Sequence, residues 1–232
     1  MKPAFVSKWK KRLAGAFAGL LAFSLAVPFA NPAASAAGYL NGKVFGDPVE
    51  LAQPIQTVSL NDAVIGIEDG RPTLYTTASG SGDAVFNVVD VESNTLLRYF
   101  VLSGVNQSWR HAIAPDGTVY IAAINAGNTP SLWKYSPDTK QVANLGNPSP
   151  GDKSLWSMTT DDAGNVYVGT YDTGRVVRYD PQTNQYHDYG PVSPGRDYVR
   201  SMAYHDGYIY AGTGTIGQVV KVNVTTGDRE AA

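Results

Sequence analysis

Three short stretches set flat aromatic side chains beside cationic or hydroxyl neighbours: Trp109-Arg110-His111, Trp156-Ser157-Met158 and Tyr198-Val199-Arg200-Ser201. A guanidinium presents a planar fork of donors that matches a carboxylate in a bidentate pair. Trp and Tyr offer faces on which a sugar ring can rest. Trp109, Arg110, Trp156, Arg175, Tyr198 and Arg200 are therefore the candidate ligand-binding residues. The expected ligand is an anionic carbohydrate such as a uronate-containing polymer, another carboxylate, or a protein partner. His111, beside Arg110, could remove a proton α to a carboxylate while Tyr171 or Tyr198 supplies one, which would be lyase chemistry. The competing expectation packs both tryptophans between sheets as core and pairs the arginines with neighbouring carboxylates or carbonyls.

Other chemistries are excluded by what the chain lacks. It contains no cysteine, so thiol catalysis and cysteine-ligated metals are absent. Its three histidines, His111, His187 and His205, fall at different places in the repeat described below and should not converge on a metal. There is no Gly-x-Ser-x-Gly elbow, no Gly-Lys-Ser/Thr phosphate loop and no His-Glu-x-x-His. No metal and no cofactor are expected. Asp69 and the Asp161-Asp162 pair lie in or beside turns, where aspartate serves backbone geometry.

The elements that must position these residues are legible as an internal repeat. Four segments place a tyrosine between an apolar residue and a partner: Leu74-Tyr75-Thr76, Val119-Tyr120-Ile121, Val166-Tyr167-Val168 and Ile209-Tyr210-Ala211. The tyrosines are 45, 47 and 43 residues apart. A glycine turn precedes each one, at Asp69-Gly70, Asp116-Gly117, Ala163-Gly164 and Asp206-Gly207. A second turn follows each, beginning at Asp90, Ser136, Asp180 and Asn223, whose side chains can bond the backbone two residues on. Eleven residues before the tyrosines stand Val64, Trp109, Trp156 and Val199, which sets Arg110 and Arg200 at one blade position with Ser157 between them. Each period reads as four short strands, and no sustained helical periodicity intervenes. Four antiparallel strands in about 45 residues predict a β-propeller blade, an all-β fold.

The stretches "APDGTVYIAA" (114–123), "DDAGNVYVGTYDTGRVVRYDPQTNQY" (161–186) and "HDGYIYAGTGTIGQVVKVNVTTGD" (205–228) resemble the repeats of exported bacterial β-propellers of the WD-repeat-like, quinoprotein-like and streptogramin-lyase-like kinds. The resemblance covers roughly residues 60 to 228 and implies the propeller fold. Its streptogramin-lyase side implies a site of His, Tyr and Arg groups, the same residue types as the catalytic candidates His111 and Tyr171, although no motif in the chain assigns them to it.

Blades are expected at about 60–105, 106–152, 153–196 and 197–232. They could close directly as a four-bladed ring. The period favours instead a partial ring of a larger propeller with about six to eight blades, the last copy breaking off where its fourth strand should begin. Residues 38–59 are expected to include a ring-closing outer strand.

Residues 1–37 read as a secretory signal peptide: a basic head of Lys2, Lys8, Lys10, Lys11 and Arg12, an apolar run from Leu13 to Ala30, and a small-residue end. Cleavage fits after Ala36 or Ala37, leaving no stable membrane span and a secreted, extracellular protein. Removal takes away five of the 18 basic residues and no acid, leaving 13 against 20 and a net charge of −7. An acidic mature chain of this kind is unsuited to nucleic acid.

Overall fold

The structure, a computed structural model, describes residues 58–232. The expected signal peptide and nearly all of the expected ring-closing segment lie outside the described residues. Sixteen strands and no helix occupy the described part, arranged as four antiparallel four-stranded sheets in which each strand pairs with its sequence neighbour. Blade 1 holds β1 (Ser59–Glu68), β2 (Arg71–Ser79), β3 (Ala84–Asp90) and β4 (Thr95–Leu102). Blade 2 holds β5 (Val105–Ile113), β6 (Val119–Asn125), β7 (Thr129–Ser136) and β8 (Gln141–Gly146). Blade 3 holds β9 (Ser154–Thr160), β10 (Val166–Tyr171), β11 (Arg175–Asp180) and β12 (Gln185–Pro191). Blade 4 holds β13 (Val199–His205), β14 (Tyr208–Thr213), β15 (Gln218–Asn223) and β16 (Arg229–Ala231). The last strand exists, contrary to the expectation from the repeat, as a three-residue strand on β15.

Turn chemistry fixes the hairpins. Asp69-Gly70 and Asp206-Gly207 both carry positive φ at their two central residues, which matches the twist of the flanking strands. At the outer turns the expected bond two residues on forms at Asp180, which accepts from Gln182 at 2.9 Å, and at Asn223, which accepts from Thr225 at 2.9 Å, whereas Asp90 accepts from the Ser93 N–H, three residues on, at 2.8 Å. Four residues after each turn's first residue, Asn94, Lys140, Asn184 and Gly227 all adopt positive φ. The repeat is therefore a repeat of backbone conformation as well as of residue type.

Blades pack face to face. The inner strands β1, β5, β9 and β13 stand side by side in chain order, and the four sheets do not close into a ring. Each interface buries a trailing face, carrying the repeat tyrosine, against the leading face of the next blade. Tyr75, Phe86 and Val88 meet Val119, Ile121, Trp133 and Tyr135. Tyr120 and Leu132 meet Val166, Val168, Val177 and Tyr179, and Tyr167 and Val176 meet Ile209, Ala211, Val220 and Val222. Burying such side chains stabilises by roughly 1.5–3 kcal/mol each.

Buried carboxylates hold the repeat tyrosines, at Glu68 across the interface of blades 1 and 2 and at Asp161 within blade 3. The hydroxyls of Tyr75 and Tyr135 donate to the buried Glu68 carboxylate at 3.2 and 2.9 Å, and Arg98 pairs with its other oxygen. Tyr167 donates to Asp161 at 2.9 Å, and burial together with that carboxylate pushes its hydroxyl far above the ordinary tyrosine range. Tyr210 is the exception: it is half-buried, because no blade covers the trailing face of blade 4.

Removing the hydroxyl with Tyr167→Phe leaves a buried acceptor short of a partner and should cost about 1–3 kcal/mol. The same change at Tyr210 should stay within about 0.5 kcal/mol. Urea unfolding midpoints at constant slope read both values.

Candidate functional site

All four inner strands bulge at one register. In blade 2, Ser108 pairs with Ala123 and Arg110 with Ala122, so Trp109 is the extra residue. In blade 3, Leu155 pairs with Thr170 and Ser157 with Gly169, which makes Trp156 the extra residue. In blade 4, Val199 pairs with Thr213 and Ser201 with Gly212, so the extra residue is Arg200. Blade 1 is irregular between Leu60 and Ala63, at Asn61-Asp62. A bulge bends its strand and re-aims the unpaired side chain. This corrects the alignment expected from sequence spacing. Arg200 shares its position with Trp109 and Trp156, whereas Arg110 shares its own with Ser157 and Ser201. The reason is the turn, since the β13–β14 hairpin is one residue shorter than its counterparts in blades 2 and 3.

The three bulged side chains converge. Trp109 and Trp156 lie 6.3 Å apart between ring centroids, and the Arg200 guanidinium rests over both, at 5.6 and 5.2 Å. Such placement is a cation–π contact with each indole. Tyr171, the last residue of β10, stacks on Trp156 at 4.4 Å with only 4° between the rings. Tyr198 closes the group, 4.9 Å from Trp156 and joined to Tyr171 by an isolated backbone bridge. Its ring occupies the space beside Gly214 so closely that any side chain there would collide with it. Arg200 is exposed, and none of the ion pairs among the described residues involves it. The indole N–H of Trp109 is buried without a partner. The arrangement offers aromatic surface and one unneutralised fork of donors.

The other candidates sit apart from this group. The Arg110 guanidinium is 3.7 Å from Asp62. The His111 ring is buried between blades 1 and 2, its Nε2 2.8 Å from Thr77 Oγ1 and its Nδ1 3.5 Å from Asp62. Burial would raise the Asp62 carboxyl, but hydrogen bonds from His111 and the nearby Arg110 charge hold it below the usual range. Arg175 pairs with Asp188 at 2.6 Å and donates to Thr173 at 2.9 Å. Among the described residues no cluster of His, Cys, Asp and Glu could hold a metal ion, and no helix is long and apolar enough to cross a membrane.

No protein-family model and no curated protein matches the chain. Solved structures do, and they show the fold. The virginiamycin B lyase of Staphylococcus aureus matches with a TM-score of 0.60 at 12% identity, over 76% of this chain and 59% of that one. The WD40 repeats of RRP9 match at 0.59 and 15% identity, over 75% of this chain and 51% of theirs. An auxiliary nutrient binding protein from Bacteroides thetaiotaomicron matches at 0.51 and 15%, over 74% and 42%. The four sheets are thus β-propeller blades. The chain spans about half the length of the first solved structures it matches, which it covers to 51%.

One positioning residue has no signature in the repeat. Asp152, buried before β9, accepts hydrogen bonds from the Asp172 N–H, the Thr173 N–H and the Thr173 hydroxyl, all at 2.8 Å, and from the Ser149 hydroxyl at 2.5 Å. It pins the turn that follows Tyr171, while the Lys153 N–H donates to the Tyr171 carbonyl at 2.7 Å. Burial pushes the Asp152 carboxyl up, but these donors outweigh it and hold it below the usual range. A lowered folded-state value means that the ionised group stabilises the fold above the unfolded pKa of about 3.9. That contribution disappears as pH falls through the lowered value. Asp152→Asn should therefore lower the melting temperature at pH 7, with the gap to the unsubstituted protein shrinking below about pH 4. Thermal unfolding followed at a series of pH values measures that gap.

Proposed function

We propose that this chain is an extracellular β-propeller platform that binds an anionic carbohydrate or a related carboxylate through the Trp109–Arg200–Trp156 group. The observation that carries the reading is the exposed Arg200 guanidinium, supported on two indoles and matched to no carboxylate of its own. An indole pair holding an arginine in place reduces the ordering needed when a carboxylate docks in its fork. Tyr171 and Tyr198 extend the flat surface on the Trp156 side, where a ring face can lie beside the bound carboxylate.

Export follows from the basic head and apolar run of residues 1–37, which fit a cleaved signal peptide. The extracellular domain of a one component system from B. thetaiotaomicron shares the fold at a TM-score of 0.54 and 19% identity. That likeness, together with the nutrient binding protein above, is in keeping with a ligand-binding role outside the cell.

Turnover by a lyase mechanism is the weaker reading. The His111 side chain is only 1% exposed and its Nε2 is engaged by Thr77, which leaves it poorly placed to meet a substrate proton. The Tyr171 ring lies flat on Trp156.

Tryptophan fluorescence titrated with polygalacturonate should report saturable binding that weakens as salt rises. Arg200→Ala should weaken it at least about tenfold, as expected for loss of a charge-assisted bidentate pair. A fully methyl-esterified polymer should bind as poorly as the variant binds the acid form. Absorbance near 235 nm should stay flat throughout, and a steady rise abolished by His111→Ala would replace the platform with a lyase.

A further inference from the structure

The irregular stretch of β1 holds an asparagine and an aspartate where the other inner strands put forward a ring or a cation. Both residues reach into blade 2. The Asn61 side-chain amide donates to the Ser108 carbonyl at 2.9 Å, and the Asp62 carboxylate accepts from the His111 N–H at 2.6 Å. Ser108 and His111 flank Trp109-Arg110, so the two bonds take hold of β5 on either side of its bulge. A bulge interrupts the ladder to the neighbouring strand, here β6. The other edge of β5 has no strand of its own sheet beside it, and its backbone donors and acceptors can take partners from another blade.

Both ends of this hold are themselves fixed. The Asp62 carbonyl accepts from the Thr76 hydroxyl at 2.8 Å, which ties the irregular stretch to β2. The buried His111 ring lies 2.8 Å from the Thr77 hydroxyl, which seats its residue between blades 1 and 2. The same device recurs between blades 3 and 4, where Ser157 donates to the Val199 carbonyl at 2.9 Å. Ser108 directly precedes the bulged Trp109, and Val199 directly precedes the bulged Arg200. The carbonyl engaged is therefore the corresponding one in both blades, and its donor stands at or beside the irregular position of the blade before.

From these bonds we infer that Asn61 and Asp62 are positioning residues of the ligand group, which fix Trp109 against Arg200 by clamping the backbone on both sides of the β5 bulge. The inference rests on the binding reading for what Trp109 is placed to do. It assigns the fourth irregular strand a part in the group although that strand gives it no ring and no cation. It also gives the His111 N–H a use that requires no contact between its ring and a ligand.

Proton NMR of the Arg200 side chain supplies a readout that a general loss of stability would not give. Contact between Arg200 and Trp156 is held by the Ser157 bond and does not pass through the clamp, so it serves as an internal control. Asn61→Ala, at an exposed position, should lose the Overhauser contacts from Arg200 to Trp109 and keep those to Trp156. Asp62→Ala should do the same, and Asp62→Asn, which retains an oxygen to accept from the His111 N–H, should restore them. Polygalacturonate binding should weaken about two- to fivefold in Asn61→Ala, the worth of one exposed cation–π contact. Far-UV circular dichroism checks folding, and Asn61→Ala carries the test if Asp62→Ala unfolds. Trp109 contacts that persist in the folded alanine variants would overturn the inference. So would loss of the Trp109 and Trp156 contacts together in a folded chain, or an Asp62→Asn variant as damaged as Asp62→Ala. The contacts are read without ligand, so a polymer that fails to bind the unsubstituted chain would count against the binding reading alone.

Discussion

An antiparallel pair can take in one extra residue only by buckling the longer strand, and the inner strand of every blade in this chain buckles at the same place. In blades 2, 3 and 4 the displaced residue is Trp109, Trp156 and Arg200. Had any of these strands run regular, its side chain would alternate in and out with its neighbours and point toward an adjacent blade. Buckling instead frees three large side chains to meet one another. Blade packing supplies the rest, because inner strands held side by side bring bulges on separate sheets within 6.3 Å between ring centroids.

The surroundings of the bulges are built to receive them. Gly169 and Gly212 face Ser157 and Ser201 so closely that a side chain in either place would displace the serine. Ser157 in turn donates to the Val199 carbonyl at 2.9 Å, tying blade 3 to the start of the inner strand of blade 4. That bond lies one residue from both Trp156 and Arg200, so a side-chain hydroxyl on one bulged strand and a backbone carbonyl on the other fix the two bulges relative to each other. Asp152 does the same for the Tyr171 turn from the other side. The group is therefore carried by strand backbones and short turns, which is the preorganisation that the proposed binding role calls for.

Much of the architecture is legible in the sequence because its causes are local. The tyrosine spacing, the glycine hairpins and the Asx turns each act within a few residues, and they specify four-stranded units without reference to the rest of the chain. The site is legible in its residue types, since Trp109, Trp156, Tyr171, Tyr198 and Arg200 do come together. Its register is not. A count back from the tyrosine puts Val199 level with the tryptophans, because a hairpin shorter by one residue and a bulge both shift the position without leaving a mark in composition. Arg110 and Arg175 show the other limit. Their engagement by Asp62 and by Asp188 depends on residues 48 and 13 positions away, and no pattern in the repeat announces either pair.

The central claim is that in solution the Arg200 guanidinium lies across two indoles on the surface of the protein. Proton NMR of the Arg200 side chain measures this directly. Protons held over aromatic faces should resonate well upfield of ordinary arginine values and show Overhauser contacts to both Trp109 and Trp156, with Trp156→Ala returning them most of the way. Ordinary shifts, or contacts to neither ring, would contradict the account.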